Sequence, residues 1–377
     1  MASSALVMFR CDASYQIGSG HVMRCLTLAD ALARHGVLCS FVTRKLPGNI
    51  VGRIAEHAHR THLLETPHHT QRELSGPTGG YRHWLGVAME EEIEQSVAVT
   101  ERLNPDMVIV DHYALDYAWH RRVGGTRPLM AIDDLANRQH ECELLLDQNF
   151  GRHSVDYAAL VSPESERLIG PNYALLRPEF RAKRHSSLAR RRSELDRIHI
   201  LVSMGGADQD NSTARILNAL SRSSLMERID VTIVMGSAAR HLRSVHEQAD
   251  EMPYPAAVLS NVSDMASLLV DVDLAIGAAG GSVWERCCLG VPSLLLNIAE
   301  NQKPATVALD QAKAAVAIGD FHSGEWEDHL LLALEKWSDG EQLRRASQRV
   351  AEIVDGKGTS RVAERVMHHL GLNGVEA

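Results

Sequence analysis

Apolar runs of strand length alternate with helix-like patterns along the chain, and this alternation occurs twice. The runs expected to form strands are 6–10, 37–43, 107–111, 129–133 and 143–147 in the first half, and 198–204, 230–235, 257–260, 274–277 and 293–298 in the second. Strands that alternate with helices form parallel sheets with helices on both faces. The pattern therefore predicts an α/β protein with two Rossmann-like, doubly wound domains facing a ligand-binding cleft.

The length of 377 residues exceeds what a single hydrophobic core usually holds. We expect a first domain over residues 1–178, a second over 197–340, and a helical tail over 341–377 that could return to the first domain. The boundary lies at 178–197, where the short basic run Arg190-Arg191-Arg192 has the composition of a solvated linker.

The composition argues against several classes of partner. The net charge is −9 and no basic stripe is present, so a nucleic acid is not an expected partner. No apolar stretch is long enough to span a membrane, and the N-terminus lacks the pattern of a signal peptide. The six cysteines form no C-x-x-C pair, which favours a reducing, cytoplasmic location.

A histidine-rich segment lies in the first half. Residues 50–65 are expected to be helical, and a turn-rich insertion follows over 66–80. No cysteine or acidic residue stands at ligand spacing from these histidines, so we expect no metal site among them. The histidines are His57, His59, His62, His68 and His69.

The first strand leads into a glycine-containing loop, and His21 stands where the next helix begins. A helix N-terminus suits an anion, and an imidazole at this position could act as a general base. A histidine with a purely structural hydrogen bond fits the local sequence equally well. The loop is not a dinucleotide-binding fingerprint, because Met23 occupies the position of the third glycine. We expect Gly20 to leave room for a sugar and a water molecule beside His21.

Two loops of the second half have the composition of ligand-binding loops. Gly205 and Gly206 allow a close backbone approach, and with Asp208 they predict a pyrophosphate site, although an ordinary turn is the commoner reading of such a loop. In the other loop, Gly281 and Ser282 precede Glu285, whose carboxylate could accept two hydrogen bonds from a ribose diol. The alternative is that Glu285 only complements the helix dipole.

Further polar side chains follow predicted strands. In the run Asp111-His112-Tyr113, Tyr113 could contact a sugar, although a capped strand end is equally plausible. Asn301 and Gln302 follow the strand at 293–298, and their amides can bind hydroxyl or phosphate groups. We interpret Asp133-Asp134 as turn and capping residues and not as metal ligands.

The motif Asp12-x-Ser14-x-x-Ile17-Gly18-x-Gly20-His21-x-x-Arg24 resembles the sugar-nucleotide hydrolases of the pseudaminic acid pathway. The segments 111–113, 173–180, 204–208 and 301–302 resemble the same family, in order along most of the chain. The resemblance implies a UDP-2,4-diacetamido-2,4,6-trideoxy-β-L-altropyranose hydrolase of the glycosyltransferase-B fold.

The resemblance also implies residue roles. His21 is expected to be the catalytic base, Tyr113 and Asn301 to lie around the sugar, and Glu285 to hold the ribose. No metal ion or cofactor is expected, and water is expected to attack the anomeric carbon with inversion. We expect a monomer. A glycosyltransferase of the same fold is the main alternative, and a nucleotide-sugar sensor without catalysis is a second.

Overall fold

The computed structural model describes residues 4–66, 80–191, 196–337 and 339–372. The chain divides into two compact units. The first unit comprises Met1–Leu175 and Gly358–Ala377, and the second comprises Leu176–Lys357.

The described residues contain thirteen strands. They are β1 (Leu6–Cys11), β2 (Leu38–Arg44), β3 (Arg60–Leu64), β4 (Met107–Asp111), β5 (Leu129–Ile132), β6 (Leu144–Asp147), β7 (Glu166–Ile169), β8 (Ile198–Ser203), β9 (Ile229–Met235), β10 (Ala256–Ser260), β11 (Leu274–Gly277), β12 (Ser293–Asn297) and β13 (Ala315–Asp320).

The same residues contain thirteen α-helices. They are α1 (Gly20–Arg34), α2 (Val51–Glu56), α3 (Met89–Leu103), α4 (Tyr117–Gly124), α5 (Pro178–Arg190), α6 (Ser212–Leu220), α7 (Leu242–Asp250), α8 (Met265–Asp271), α9 (Ser282–Cys288), α10 (Lys303–Gln311), α11 (Trp326–Lys336), α12 (Gly340–Ala351) and α13 (Gly358–His369).

The first unit is built on a parallel sheet whose described strands follow the order β3-β2-β1-β4-β5-β6-β7. All five residues of β4 are buried, as expected for a parallel strand covered on both faces. The strand order reverses between β1 and β4, which is where sheets of this kind bind ligands. The register pairs Cys11 with Asp111 at the carboxyl ends of these two strands.

The second unit has a parallel sheet whose described strands follow the order β10-β9-β8-β11-β12-β13. Its order reverses between β8 and β11, and the register pairs Ser203 with Gly277 at their carboxyl ends. The two glycine-containing loops singled out in the sequence therefore leave neighbouring strands at the same edge of the sheet.

The alternation of strands and helices is confirmed in both halves, but several elements differ from the prediction. The segment predicted as one helix over 50–65 contains α2 and then β3, which pairs with β2. Strands β7 and β13 were not predicted, and α5 occupies the segment interpreted as a linker. Pro178 stands in the first turn of α5, where its missing N–H costs no hydrogen bond.

Arg190 and Arg191 do not belong to a solvated linker, so that interpretation was wrong for these two residues. Arg190 forms an ion pair with Asp273, with Nη1 2.6 Å from Oδ1. Arg191 is buried and donates to the carbonyl oxygens of Leu269 and Leu289, which lie at the C-terminal ends of α8 and α9. Helix C-termini leave carbonyl groups without partners, and a guanidinium satisfies several of them at once. Arg192 lies outside the described residues.

The C-terminal segment divides between the two units. Helix α12 belongs to the second unit, whereas the chain from Gly358 onward belongs to the first, where α13 packs on α1. The second unit begins at Leu176 and includes α5, so the division lies just before the segment 178–197 in which it was expected. Among the described residues, no helix is both long enough and apolar enough to cross a bilayer.

Candidate active site

His21 is the second residue of α1 and its side chain is mostly buried. Its Nδ1 lies 2.6 Å from Oδ1 of Asp111, which the strand register brings to the neighbouring strand end. A carboxylate at Nδ1 accepts the N–H on that nitrogen and leaves the lone pair on Nε2. The hydrogen bonds of the imidazole to described residues involve Nδ1, so Nε2 is the nitrogen through which His21 could take up a proton.

Arg24, one turn further along α1, clamps the same carboxylate. Its Nε lies 2.6 Å from Oδ2 of Asp111, and its Nη2 lies 2.7 Å from Oδ1. Burial by itself would raise the pKa of Asp111, but the charge of Arg24 and the contact with His21 hold that pKa well below its usual range. Asp111 is therefore an ionised acceptor that orients the imidazole.

Asp134 links this group to Tyr113. Arg24 reaches Asp134 with Nη1 at 2.8 Å from Oδ2, and the hydroxyl of Tyr113 donates to the same oxygen at 2.7 Å. Burial and the charge of Asp134 raise the pKa of Tyr113 well above its usual value, so it remains a phenol. Its ring meets the ring of His21 edge-on, with the centroids 4.7 Å apart. The structure thus brings His21 and Tyr113 together, whereas the contacts of Asp134 with Arg24 and Tyr113 were not expected.

His112 does not share the chemistry of His21. Its Nδ1 accepts a hydrogen bond from the backbone N–H of Ala114 at 3.1 Å, and burial lowers its pKa to about 4. Its Nε2 lies 3.5 Å from the carboxylate of Asp12, which is held by Arg10 at 2.6 Å. This buried, neutral histidine belongs to the ionic network under the first loop.

Two aromatic residues beside His21 were not predicted. Trp84 stacks on Tyr113 with ring centroids 5.3 Å apart, and it lies 6.1 Å from the ring of His21. Tyr81 packs edge-on against both Trp84 and Tyr113. Nothing in the local sequence marks these residues, because they follow an insertion and lie in a short 3₁₀ turn, Tyr81–Leu85.

In the second unit, Asp208 has a local structural role. Its two carboxylate oxygens accept the backbone N–H groups of Ser212 and Thr213 at 2.9 and 3.0 Å, so Asp208 caps α6. The preceding glycines, Gly205 and Gly206, are exposed, and a Cβ atom added to either would meet no atom within 4 Å.

Glu285 lies in the first turn of α9 with 21% of its side chain exposed. Burial raises its pKa to about 7, although Arg177 partly opposes the shift, with Nη2 3.8 Å from Oε1. Gly281 and Ser282, just before it, are exposed, and space is open around Gly281. The carboxyl group is therefore only weakly paired within the protein.

Arg286 is a residue that the sequence reasoning missed. It is buried beneath the second glycine loop, and its Nη2 donates to the carbonyl oxygen of Ala278 at 2.7 Å. It forms no ion pair with any carboxylate of the described residues, and burial lowers its pKa to about 10. An unpaired guanidinium here favours a bound anion.

The other polar residues singled out in the sequence follow β12 and β5, and they are Asn301, Gln302 and Asp133. Asn301 is partly exposed in the 3₁₀ turn Glu300–Gln302, whereas the side chain of Gln302 accepts the backbone N–H of Ile298. Asp133 accepts the N–H groups of Leu135 and Ala136, as expected for a turn residue.

The histidine-rich segment differs in one respect from the expectation. Asp30 supplies an acidic partner, since its carboxylate lies 2.7 Å from Nδ1 of His57 and 2.9 Å from Nε2 of His59. Over the described part of the chain, no group of three or more potential ligands is placed to hold a metal ion. His68 and His69 lie outside the described residues.

No protein-family model matches the chain. It is 30% identical over 196 residues to the spore coat polysaccharide biosynthesis protein SpsG of Bacillus subtilis, a match that covers 51% of the chain and 56% of SpsG. It is 25% identical over 246 residues to the UDP-2,4-diacetamido-2,4,6-trideoxy-β-L-altropyranose hydrolase of Campylobacter jejuni, covering 64% of the chain and 74% of that enzyme. The chain thus spans about half the length of SpsG. The resemblance inferred from the motifs is confirmed.

Solved structures with little sequence identity share the fold. Acinetobacter baumannii MurG has a TM-score of 0.67 at 15% identity, with 97% of this chain and all of MurG covered. Staphylococcus aureus MnaA, solved with UDP, has a TM-score of 0.64 at 13% identity, with 98% and 97% covered. The calicheamicin glycosyltransferase CalG4 has a TM-score of 0.61 at 14% identity, with 98% and 99% covered. The predicted α/β fold of the glycosyltransferase-B type is therefore confirmed.

Proposed function

We propose that the chain hydrolyses UDP-2,4-diacetamido-2,4,6-trideoxy-β-L-altropyranose to UDP and the free sugar. The observation that carries the proposal is the pair His21–Asp111, in which a buried, ionised carboxylate fixes the tautomer of an imidazole at a strand switch point. The name of the Campylobacter jejuni relative supports this substrate, and the UDP bound to S. aureus MnaA supports a nucleotide-sugar.

In the proposed reaction, Nε2 of His21 accepts a proton from a water molecule. The water oxygen forms a bond to the anomeric carbon while the bond from that carbon to the β-phosphate oxygen breaks, and its electron pair leaves with UDP. Asp111 stabilises the imidazolium that forms. Attack on the face opposite the leaving group inverts the anomeric centre.

The second unit is proposed to hold UDP. The open glycine loops at Gly205-Gly206 and Gly280-Gly281 allow backbone N–H groups to approach phosphate oxygens. Arg286 adds positive charge beneath the second loop. Glu285 is proposed to accept the ribose hydroxyls, and Asn301 to bind the sugar.

The proposal uses no metal ion, because a nucleoside diphosphate is a good leaving group and a side chain supplies the base. The six cysteines are buried and none is in a disulfide. Free thiols persist in a reducing compartment, so we propose a cytoplasmic location.

A glycosyltransferase that deprotonates an acceptor hydroxyl is the second candidate, because most of the similar structures belong to glycosyltransferases. Incubation with the UDP-sugar and no acceptor separates the two. A hydrolase releases UDP and free sugar in equal amounts over many turnovers, whereas a glycosyltransferase requires the acceptor.

The His21→Asn variant tests the assignment of the base. UDP release should fall on the order of 10²–10⁴-fold, because a positioned base contributes that much to the rate. His35→Asn is the matched control, since His35 is exposed at the other end of α1. Near-normal UDP release by a folded His21→Asn variant would contradict the role of His21.

A further inference from the structure

Two aromatic rings lie beside His21 in the first unit, and a third ring packs against both of them. The ring centroids of Trp84 and Tyr113 lie 6.1 and 4.7 Å from the ring centroid of His21. Tyr81 packs edge-on against Trp84, with ring centroids 4.6 Å apart. The mechanism proposed above assigns no role to Trp84 or Tyr81. Both come from the short turn after residue 80, outside the strand ends that carry the base.

The turn that carries Trp84 is firmly anchored. Leu85 and Val87 are 1% exposed and belong to the core between β2, β4 and α3. Gly86, which ends the turn, has a φ of +68°, and a Cβ atom there would lie 3.2 Å from the side chain of Leu46. The position of the indole is therefore set by the fold and is not that of a freely moving surface residue.

Trp84 differs from the other tryptophans of the chain. Trp119, Trp284, Trp326 and Trp337 are at most 5% exposed and serve the cores of the two units, whereas Trp84 is only half-buried. An anchored aromatic ring with an uncovered portion beside a base provides an apolar surface for a ligand.

We propose that Trp84, with Tyr81 packed against it, forms the apolar wall of the sugar subsite and selects a sugar through its methyl groups. This inference rests on the proposed function for the location of the sugar. A water molecule hydrogen-bonded to His21 lies about 3 Å from the imidazole, and the carbon that it attacks lies about 3 Å further, so that carbon is roughly 6 Å from the imidazole. The indole lies at that distance, so a substituent of the reacting sugar could contact it.

The proposed substrate has the matching chemistry. Its two acetamido groups and its deoxygenated carbon 6 each end in a methyl group, and methyl groups gain by leaving water for an aromatic surface. Removal of one buried methyl from the ligand should lower kcat/KM by about fourfold, which corresponds to roughly 0.8 kcal/mol per methyl group. A hydroxyl in place of a methyl would find no acceptor on the indole face.

The experiment uses the full chain and four UDP-sugars: the proposed substrate and three analogues that each lack one methyl group. The analogues are the 2-formamido compound, the 4-formamido compound and the pentose lacking carbon 6. The protein variants are Trp84→Ala, Trp84→Phe and, as a matched control at an exposed position of the same turn, His83→Ala. Each variant is also combined with His21→Asn, which slows hydrolysis, and the dissociation constant of each sugar is measured for these proteins.

For wild type and His83→Ala, kcat/KM should be lower by about fourfold or more for at least one analogue than for the full substrate. Trp84→Ala should lose this difference between the sugars, and Trp84→Phe should retain most of it. For the full substrate, Trp84→Ala should lose about 10–100-fold in kcat/KM. An unchanged pattern of discrimination in folded Trp84→Ala would overturn the proposal. If the dissociation constants distinguish the sugars but no UDP is released, the proposed hydrolase activity is contradicted and the proposed aromatic wall is supported. The failure of one proposal can therefore be told from the failure of the other.

Discussion

At the scale of single residues, Asp111 determines how His21 can act. The Asp111→Asn variant removes the charge that holds Nδ1–H and leaves Arg24 without its main ion pair. We expect kcat for UDP release to fall on the order of 10²–10⁴-fold. Asp106→Asn, one residue before the same strand, is the control and should keep most of the activity. An unaltered kcat in the folded Asp111→Asn variant would show that the carboxylate does not orient the base.

The raised pKa of Glu285 leads to a pH-dependence. Burial raises this pKa to about 7, and a protonated carboxyl group accepts fewer hydrogen bonds from a ribose diol than an ionised one. The affinity for UDP should therefore rise, by up to about tenfold, as the pH increases through 7. Calorimetric titration of wild type and Glu285→Gln over this range measures the effect. The phosphate groups of UDP also titrate, so the prediction concerns the difference in pH-dependence between wild type and Glu285→Gln. Identical pH profiles of the two proteins would show that Glu285 does not bind the ribose.

Several candidate site residues could be predicted from the sequence, but the side chains that contact them could not. His21, Tyr113 and Glu285 stand in local patterns that suggest chemistry, whereas Asp111 is 90 positions from His21 and meets it through the pairing of two strands. Trp84 and Arg286 carry no local signal, because a tryptophan after an insertion and an arginine within a helix are ordinary residues. Their importance comes from the three-dimensional positions alone.

At the scale of elements, two glycines of one loop have different roles. A Cβ atom at Gly277, the last residue of β11, would lie 2.3 Å from Nη1 of Arg286 and 2.7 Å from the carbonyl oxygen of Ser203. A Cβ atom at Gly280 would meet no atom within 4 Å. We expect Gly277→Ala to lower the free energy of unfolding by about 1–3 kcal/mol.

Gly280→Ala is the matched variant for ligand binding. It should leave the melting temperature unchanged and weaken UDP binding, because the added methyl group would fill space proposed for phosphate. Thermal melting and calorimetric titration of both variants measure the two effects. A lower melting temperature of Gly280→Ala, or an affinity for UDP equal to that of wild type, would contradict the proposed role of Gly280 in ligand binding.

The elements that sequence analysis missed have weak or mixed patterns. Strand β7 has only four residues, Glu166–Ile169, and half of them are charged. Strand β3 follows α2 so closely that the two merge into one apparently helical stretch. The composition of α5, rich in arginine and serine, obscured a helix whose anchoring residues, Phe180 and Ser187, are few. Long buried strands such as β4 were correctly predicted because their apolar runs are uninterrupted.

At the scale of the whole molecule, the chain leaves its first unit and returns to it. Val362 and Val366 of α13 are fully buried in the core that also contains residues of α1 and β1. Helical periodicity predicted this helix, but an amphipathic pattern does not identify the unit that a helix covers.

Truncation of one of these valines tests the return. Val366→Ala should lower the free energy of unfolding of the first unit by about 1–3 kcal/mol, because it leaves a cavity in a closed core. Val307→Ala, at a position 50% exposed on α10, should change stability by less than about 0.5 kcal/mol. Denaturant unfolding of the full chain measures both. Equal effects of the two substitutions would show that α13 does not complete the core of the first unit.

In the proposed reaction, a water molecule activated by His21 attacks the anomeric carbon. Turnover of the UDP-sugar in water enriched in the heavy oxygen isotope, without any acceptor, tests it most directly, with both products weighed by mass spectrometry. We expect the heavy oxygen to enter the sugar and not UDP, and His21→Asn to slow its entry on the order of 10²–10⁴-fold. Heavy oxygen in UDP, or no sugar released until an acceptor is added, would contradict it.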